Sequence, residues 1–233
     1  MPTATYQTRR SQLLDYFDRT AVDAWARLTS DVPVSGIRAT VRAGRDTMRQ
    51  TLLDWLPRDL TGRRLLDAGC GTGALSVEAA RRGAEVVAID LSPTLVDLAR
   101  QRLPVIPGPG RIEFRTGDMF DPALGSFDHV VAMDSLIHYR APDIVDVLAG
   151  FTTRTTGSVL FTFAPRTAAL ATMHAVGKLF PKGDRAPAIE PVAELQLRSL
   201  LLDEPALAEW MPARTNRVAR GFYTSQAMEL VRP

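Results

Sequence analysis

Short apolar runs and helically spaced apolar residues alternate through the middle of the chain. Arg64–Asp67, Glu85–Asp90, Ile112–Arg115, Phe127–Met133 and Ser158–Phe163 read as strands, and continuous apolar runs mean burial on both faces. Between them, Ala74–Arg82 and Ile144–Phe151 carry helical patterns, and Ser92-Pro93 opens another helix with a cap and an N1 proline. The loop Pro104–Gly110 leads into the third strand. Such alternation predicts an α/β fold, a mostly parallel sheet with helices on both faces. Ala213–Tyr223 and Gln226–Val231 are expected as an antiparallel pair that brings the sheet to seven strands.

The first sixty residues differ. Residues 1–8 are expected to fray. Leu13, Phe17, Ala21, Ala24, Trp25 and Leu28 recur at helical spacing, as do Ile37, Val41, Met48, Leu52, Trp55 and Leu56. Ser30–Gly36, with Pro33 and Gly36, separates the two patterns. Residues 1–60 are therefore expected as a helical arm, either a packing extension or a lid over the sheet's C-terminal edge. Residues 61–233 form the main domain, interrupted by an insertion at about 165–190. Val192–Leu202 returns to helical spacing.

Composition removes several classes. An apolar fraction of 45% suits one core, and the net charge of +2 carries no dense basic run, which argues against nucleic acid. Cys70 is the only cysteine, so neither a disulfide framework nor a cysteine metal site is available. No apolar run approaches the ~18 residues of a membrane span, and no signal peptide is visible. The expectation is a cytoplasmic protein.

Chemistry concentrates at Leu65–Gly73, Leu-Leu-Asp-Ala-Gly-Cys-Gly-Thr-Gly. A strand, a glycine turn and a helix N-terminus together form a nucleotide-type cradle. The glycines Gly69, Gly71 and Gly73 suit an S-adenosylmethionine site, but Gly69, Gly71 and Ala74 also satisfy a dinucleotide pattern. Asp90 ends the second strand, where it would accept from ribose hydroxyls in either case. Asp67 discriminates. An acid directly before the turn suits the methionine ammonium group and would repel a pyrophosphate. Gly117-Asp118-Met119-Phe120 follows the third strand and offers one acceptor and two apolar side chains to an adenine. Too little chain remains for a dehydrogenase's substrate domain.

Across Leu65–Phe163 the chain resembles class I S-adenosylmethionine-dependent methyltransferases, which implies a Rossmann-like sheet. The wider pattern resembles the magnesium protoporphyrin IX O-methyltransferase family. It comprises Tyr16-Phe17 with Trp25, Val41-Arg42-Ala43-Gly44, Leu136-Ile137-His138-Tyr139, Phe163-Ala164-Pro165-Arg166-Thr167, Gly177-Lys178-Leu179-Phe180-Pro181 and Gly221-Phe222-Tyr223. The resemblance implies methyl transfer to a propionate of magnesium protoporphyrin IX on the route to chlorophyll or bacteriochlorophyll. Two positions depart from the family pattern. Thr29 stands where an aromatic residue is expected, and Arg45 follows Gly44 where the family has histidine.

Under this reading the cofactor is held by Tyr16, Arg42, Asp67, Gly69, Gly71, Asp90, Leu91, Asp118, Met119 and Asp134, with Arg42 on the methionine carboxylate. Phe17, Trp25, Tyr139, Arg166, His174, Lys178 and Phe180 are expected to contact the porphyrin. Magnesium would arrive with that substrate, and the protein needs no metal site of its own. His138 is the candidate catalytic residue. A propionate with a pKa near ~4.3 is already ionised at pH 7, so His138 is better cast as a positioning donor than as a base. His129 and Asp128, at the start of the fourth strand, are expected to be structural. A magnesium chelatase subunit is a candidate partner, and the arginine-bearing first helix a candidate for weak inner-membrane contact. Two other readings stay open: an O-methyltransferase for another small molecule such as a quinone precursor, and a non-catalytic porphyrin-binding module.

Overall fold

The computed structural model describes residues 3–16, 36–166 and 189–233. The strands are β1 (Arg64–Ala68), β2 (Glu85–Asp90), β3 (Arg111–Thr116), β4 (Phe127–Ala132), β5 (Thr155–Phe163), β6 (Met211–Arg220) and β7 (Tyr223–Val231). They form a single sheet in the order β3-β2-β1-β4-β5-β7-β6. The first five strands run parallel, while β7 is antiparallel to both β5 and β6. Strand order reverses at β1, which lies between β2 and β4. In open α/β sheets, ligands bind outside the strand C-termini at such a point.

Alternate side chains of the apolar strands serve opposite faces. Leu65, Val86, Ala88, Val131, Leu160 and Ala227 pack with α2 (Gly36–Trp55), α3 (Ala74–Arg81) and α4 (Pro93–Gln101). Their neighbours Leu66, Val87, Ile89, Val130, Phe161 and Met228 face α1 (Ala4–Asp15), α5 (Ala141–Thr152) and α6 (Glu194–Asp203). The two-residue period explains why these strands lack a polar face.

The expectation of fraying over residues 1–8 is corrected from Thr3 onward. Thr3 Oγ1 caps α1 by accepting from the Tyr6 N–H at 3.1 Å, and Tyr6 is buried in the core. The Thr3 and Thr5 hydroxyls each donate to Asp143 Oδ1 at 2.6 Å, tying the N-terminus to the start of α5. Tyr223 also moves: Gly221-Phe222 makes the turn, so Tyr223 opens β7 instead of ending β6. Met48, Leu52 and Leu53 are buried in the core, while Arg42, Arg45 and Arg49 reach a cavity at the sheet edge.

Of the insertion, residues 167–188 lie outside the described residues, but its two ends meet above β5. The Arg166 N–H donates to the Val192 carbonyl at 2.9 Å, and the Val192 N–H to Ala164 at 2.8 Å. The Glu190 N–H donates to the Ile137 carbonyl, and the Glu190 carboxylate accepts from Arg9 of α1 at 2.6 Å. His129 and Asp128 have structural partners: His129 Nδ1 lies 2.9 Å from Ser158 Oγ, and Asp128 holds Arg63 and the Arg64 N–H.

Candidate active site

The glycine turn leaves β1 at Ala68 and folds back under β2. Gly69 and Cys70 donate their N–H groups to the Ile89 carbonyl at 2.8 and 3.0 Å. Gly69 has φ +83°, and a Cβ placed there would collide with that of Ser135. Gly73 caps α3 without a side-chain bond, so the helix N-terminus faces the turn undressed.

Two carboxylates flank this turn. Asp67 is buried, accepts from Ser76 Oγ at 2.5 Å, and is pushed up to about 6 by desolvation. Asp90 accepts the Gly71 N–H on Oδ2 at 2.8 Å and the Ser92 N–H on Oδ1 at 3.0 Å. These bonds fix its plane and leave further lone pairs for hydroxyl donors. Burial raises its carboxyl as well. Burial also pushes the Cys70 thiol upward, which keeps it a protonated, inert side chain.

A cavity of about 340 Å³ opens between these acids and the loop after β4. That volume is within the small-molecule range. It brings together Arg42, Asp67, Gly69, Gly71, Asp90, Leu91, Met119, Asp134, His138 and Tyr139, ten of the residues selected from sequence. His138 is 7% exposed, on the loop Met133–Tyr139. Tyr139 is buried and stacks on Tyr6 with ring centroids 5.0 Å apart.

Other selected residues sit elsewhere. Asp118 does not line the cavity: its carboxylate accepts from Tyr6 Oη and the Phe120 N–H, and pairs with Arg10 at 2.9 Å. Tyr16 is the C-cap of α1, which contributes Leu13 to the lining instead. The Arg166 side chain is exposed. Phe17, Trp25, His174, Lys178 and Phe180 lie outside the described residues.

The cavity also contains side chains that sequence reasoning passed over. Arg49 lines it one and two helical turns from Arg45 and Arg42, a spacing visible in the sequence of α2. Ser135 Oγ is buried there with no hydrogen-bond partner among the described residues. Beside the glycine cradle this hydroxyl is available to a polar ligand. Arg45, which departs from the family pattern, pairs with Asp134 at 2.7 Å.

The sequence model described as "Magnesium-protoporphyrin IX methyltransferase C-terminus" matches residues 132–232, and a general methyltransferase-domain model matches residues 65–155. A magnesium-protoporphyrin O-methyltransferase of Rhodobacter capsulatus is 52% identical over 225 residues, 96% of this chain and 97% of that protein. The chain belongs to the magnesium-protoporphyrin O-methyltransferase family. Another relative with that description, from Synechocystis, is 30% identical over 94% of each chain. The crystal structure of the Synechocystis PCC 6803 magnesium protoporphyrin IX methyltransferase with bound SAH superposes with a TM-score of 0.83. It is 29% identical and covers 96% of this chain and 100% of that one.

A methyltransferase of this family uses S-adenosylmethionine, and the described residues fit it. The glycine cradle admits close approach, the acids suit an ammonium group and ribose hydroxyls, and the Ser135 hydroxyl awaits a partner. Among the described residues, no helix is long and apolar enough to cross a membrane.

Proposed function

We propose that the chain transfers the S-adenosylmethionine methyl group to a propionate carboxylate of magnesium protoporphyrin IX, giving the monomethyl ester. The supporting observation is near full-length similarity to enzymes described by that reaction, joined to a cavity of the right chemistry at the β1 switch point. The cofactor supplies an electrophilic methyl on sulfonium sulfur. A carboxylate oxygen forms the new bond to carbon, the carbon–sulfur bond breaks, and sulfur keeps the electron pair. No proton moves, because a propionate near ~4.3 is already ionised at neutral pH.

Residue roles follow from this chemistry. Asp67 receives the ammonium group, Asp90 the ribose hydroxyls, and Arg42 the methionine carboxylate. Leu91 and Met119 flank the adenine. Asp118, bonded to Tyr6 and Arg10, holds α1 over that side. His138 donates to and orients the acceptor carboxylate. A cation on the attacked oxygen would blunt it, so the positive groups of residues 166–185 belong to the other propionate. Residues 1–60 act as a lid and 61–233 as the catalytic domain.

Delivery of a poorly soluble porphyrin calls for a partner enzyme, and a magnesium chelatase subunit is the candidate. Arg9 and Arg10 bind Glu190 and Asp118, so α1 offers a membrane surface little free positive charge. The protein is assigned to the cytoplasm, with at most weak inner-membrane contact.

Incubation with magnesium protoporphyrin IX and methyl-labelled S-adenosylmethionine tests the reading. Label in a base-labile ester of the porphyrin is the expected result, and label elsewhere or nowhere contradicts it.

A further inference from the structure

Asp134 follows β4 directly after Met133 and, among the described residues, is the only non-glycine with a left-handed backbone, φ +54°. A side chain is kept in that conformation only where its surroundings over-determine it. Here they do so from three elements. On β5, Thr162 Oγ1 accepts the Asp134 N–H at 2.7 Å and donates to Oδ1 at 3.3 Å. On β7, Tyr223 Oη lies 3.0 and 3.1 Å from the two carboxylate oxygens, and Ser225 Oγ donates to Oδ1 at 3.1 Å. From α2, Arg45 Nη1 reaches Oδ2 at 2.7 Å, and the Asp134 side chain is 4% exposed.

The approach of α2 is set by glycine. A Cβ on Gly44 would collide with the Tyr223 ring, so its absence lets the helix lie directly on β7. The next residue, Arg45, then meets the carboxylate that Tyr223 already holds. Arg45 lines the cofactor cavity together with Arg42 and Arg49, one turn to either side on the same helix. On the other side of the pair, Asp134 is the second residue of the loop that carries Ser135 and His138.

We propose that Arg45 and Asp134 are a positioning pair that locks α2 onto the His138 loop, so that the cofactor and acceptor halves of the site set together. The proposal rests on the assignment of His138 to the acceptor side. It casts Asp134 as a residue that acts through the loop, although sequence position alone suggested a cofactor contact. Its carboxylate accepts from Thr162, Tyr223, Ser225 and Arg45, so protein donors occupy most of its lone pairs.

The test uses the full chain and compares Arg45→Leu, Arg45→Lys, Tyr223→Phe and His138→Ala in two measurements. These are calorimetric affinity for S-adenosylmethionine and kcat with magnesium protoporphyrin IX. Arg45→Leu should lower kcat about 100-fold, as a misplacement near 1 Å would. Its cofactor affinity should fall by less, at most about tenfold, because Arg42 and Arg49 remain on the same helix, and Arg45→Lys should recover most of the activity. Tyr223→Phe keeps the ring against Gly44 but removes the hydroxyl, and should lower kcat about tenfold with unchanged cofactor affinity. It carries the test if Arg45→Leu fails to fold. Adding Arg45→Leu to His138→Ala should cost less than about threefold more, since the group being positioned is gone.

Weakened cofactor binding with unchanged kcat, or losses that multiply in the double variant, would overturn the pair. If His138→Ala lowers kcat while Arg45→Leu and Tyr223→Phe do not, the pair alone is wrong. If His138→Ala leaves kcat unchanged, the acceptor-side assignment fails and the pair falls with it.

Discussion

Ser76 donates a 2.5 Å hydrogen bond to Asp67, one turn into the helix that the glycine loop opens. Burial outweighs that bond and lifts the Asp67 carboxyl from 3.8 to about 6. The folded state therefore holds a proton that the unfolded chain has released between about pH 4 and 6. This group's stabilising contribution is present at low pH and is lost as pH rises through that window. A bound ammonium group favours the carboxylate and reverses the preference. Affinity for S-adenosylmethionine should rise about fivefold from pH 5 to 6 and about twofold more by pH 7, levelling off above. Calorimetry across pH 5–8 would show it; Asp67→Asn should flatten much of the profile, and a flat wild-type profile contradicts the assignment.

Gly69→Ala imposes two penalties that can be separated. A methyl collides with Ser135 Cβ, and φ +83° is unfavourable for any side chain. The strain alone should cost about 1–3 kcal/mol. Thermal melts should show Gly69→Ala less stable than wild type, and Ser135→Gly should restore only part of the loss. Full restoration would mean that backbone strain contributes nothing.

Much of the sheet was legible because buried parallel strands write themselves as unbroken apolar runs. Leu65–Ala68 and Val86–Ile89 need no tertiary information to be recognised, and their parity assigns the faces. Asp67 and Asp90, at the C-terminal ends of β1 and β2, were legible as cavity-lining acids for the same reason, since a strand end fixes where its side chains point. Asp118 looked equivalent, but Tyr6 and Arg10, more than a hundred residues earlier, take its carboxylate. No local pattern signals that. Arg45 and Asp134 were equally opaque as a pair, because their meeting depends on α2 crossing β7 at Gly44. Ser135 is a small polar residue in a loop, with no periodicity to mark it.

The N-terminus provides a stability test. Thr3 both caps α1 and, with Thr5, donates to Asp143. Thr3→Val keeps the shape and removes the cap and the Thr3–Asp143 bond, leaving Thr5 in place, and should destabilise the protein by about 1 kcal/mol. A lower melting temperature is expected. An unchanged one would mean that α1 is not anchored through Thr3.

The central claim is that the site positions an acceptor that is already ionised. Its most direct test is kcat for porphyrin methylation from pH 6 to 8.5, at saturating cofactor, in the wild type and His138→Gln. Glutamine offers a donor and no useful basicity. The account predicts that His138→Gln keeps a substantial fraction of the activity and introduces no new dependence on hydroxide. Complete loss of kcat with cofactor affinity intact, or activity in His138→Gln that climbs steadily with pH, would make His138 a general base and contradict it.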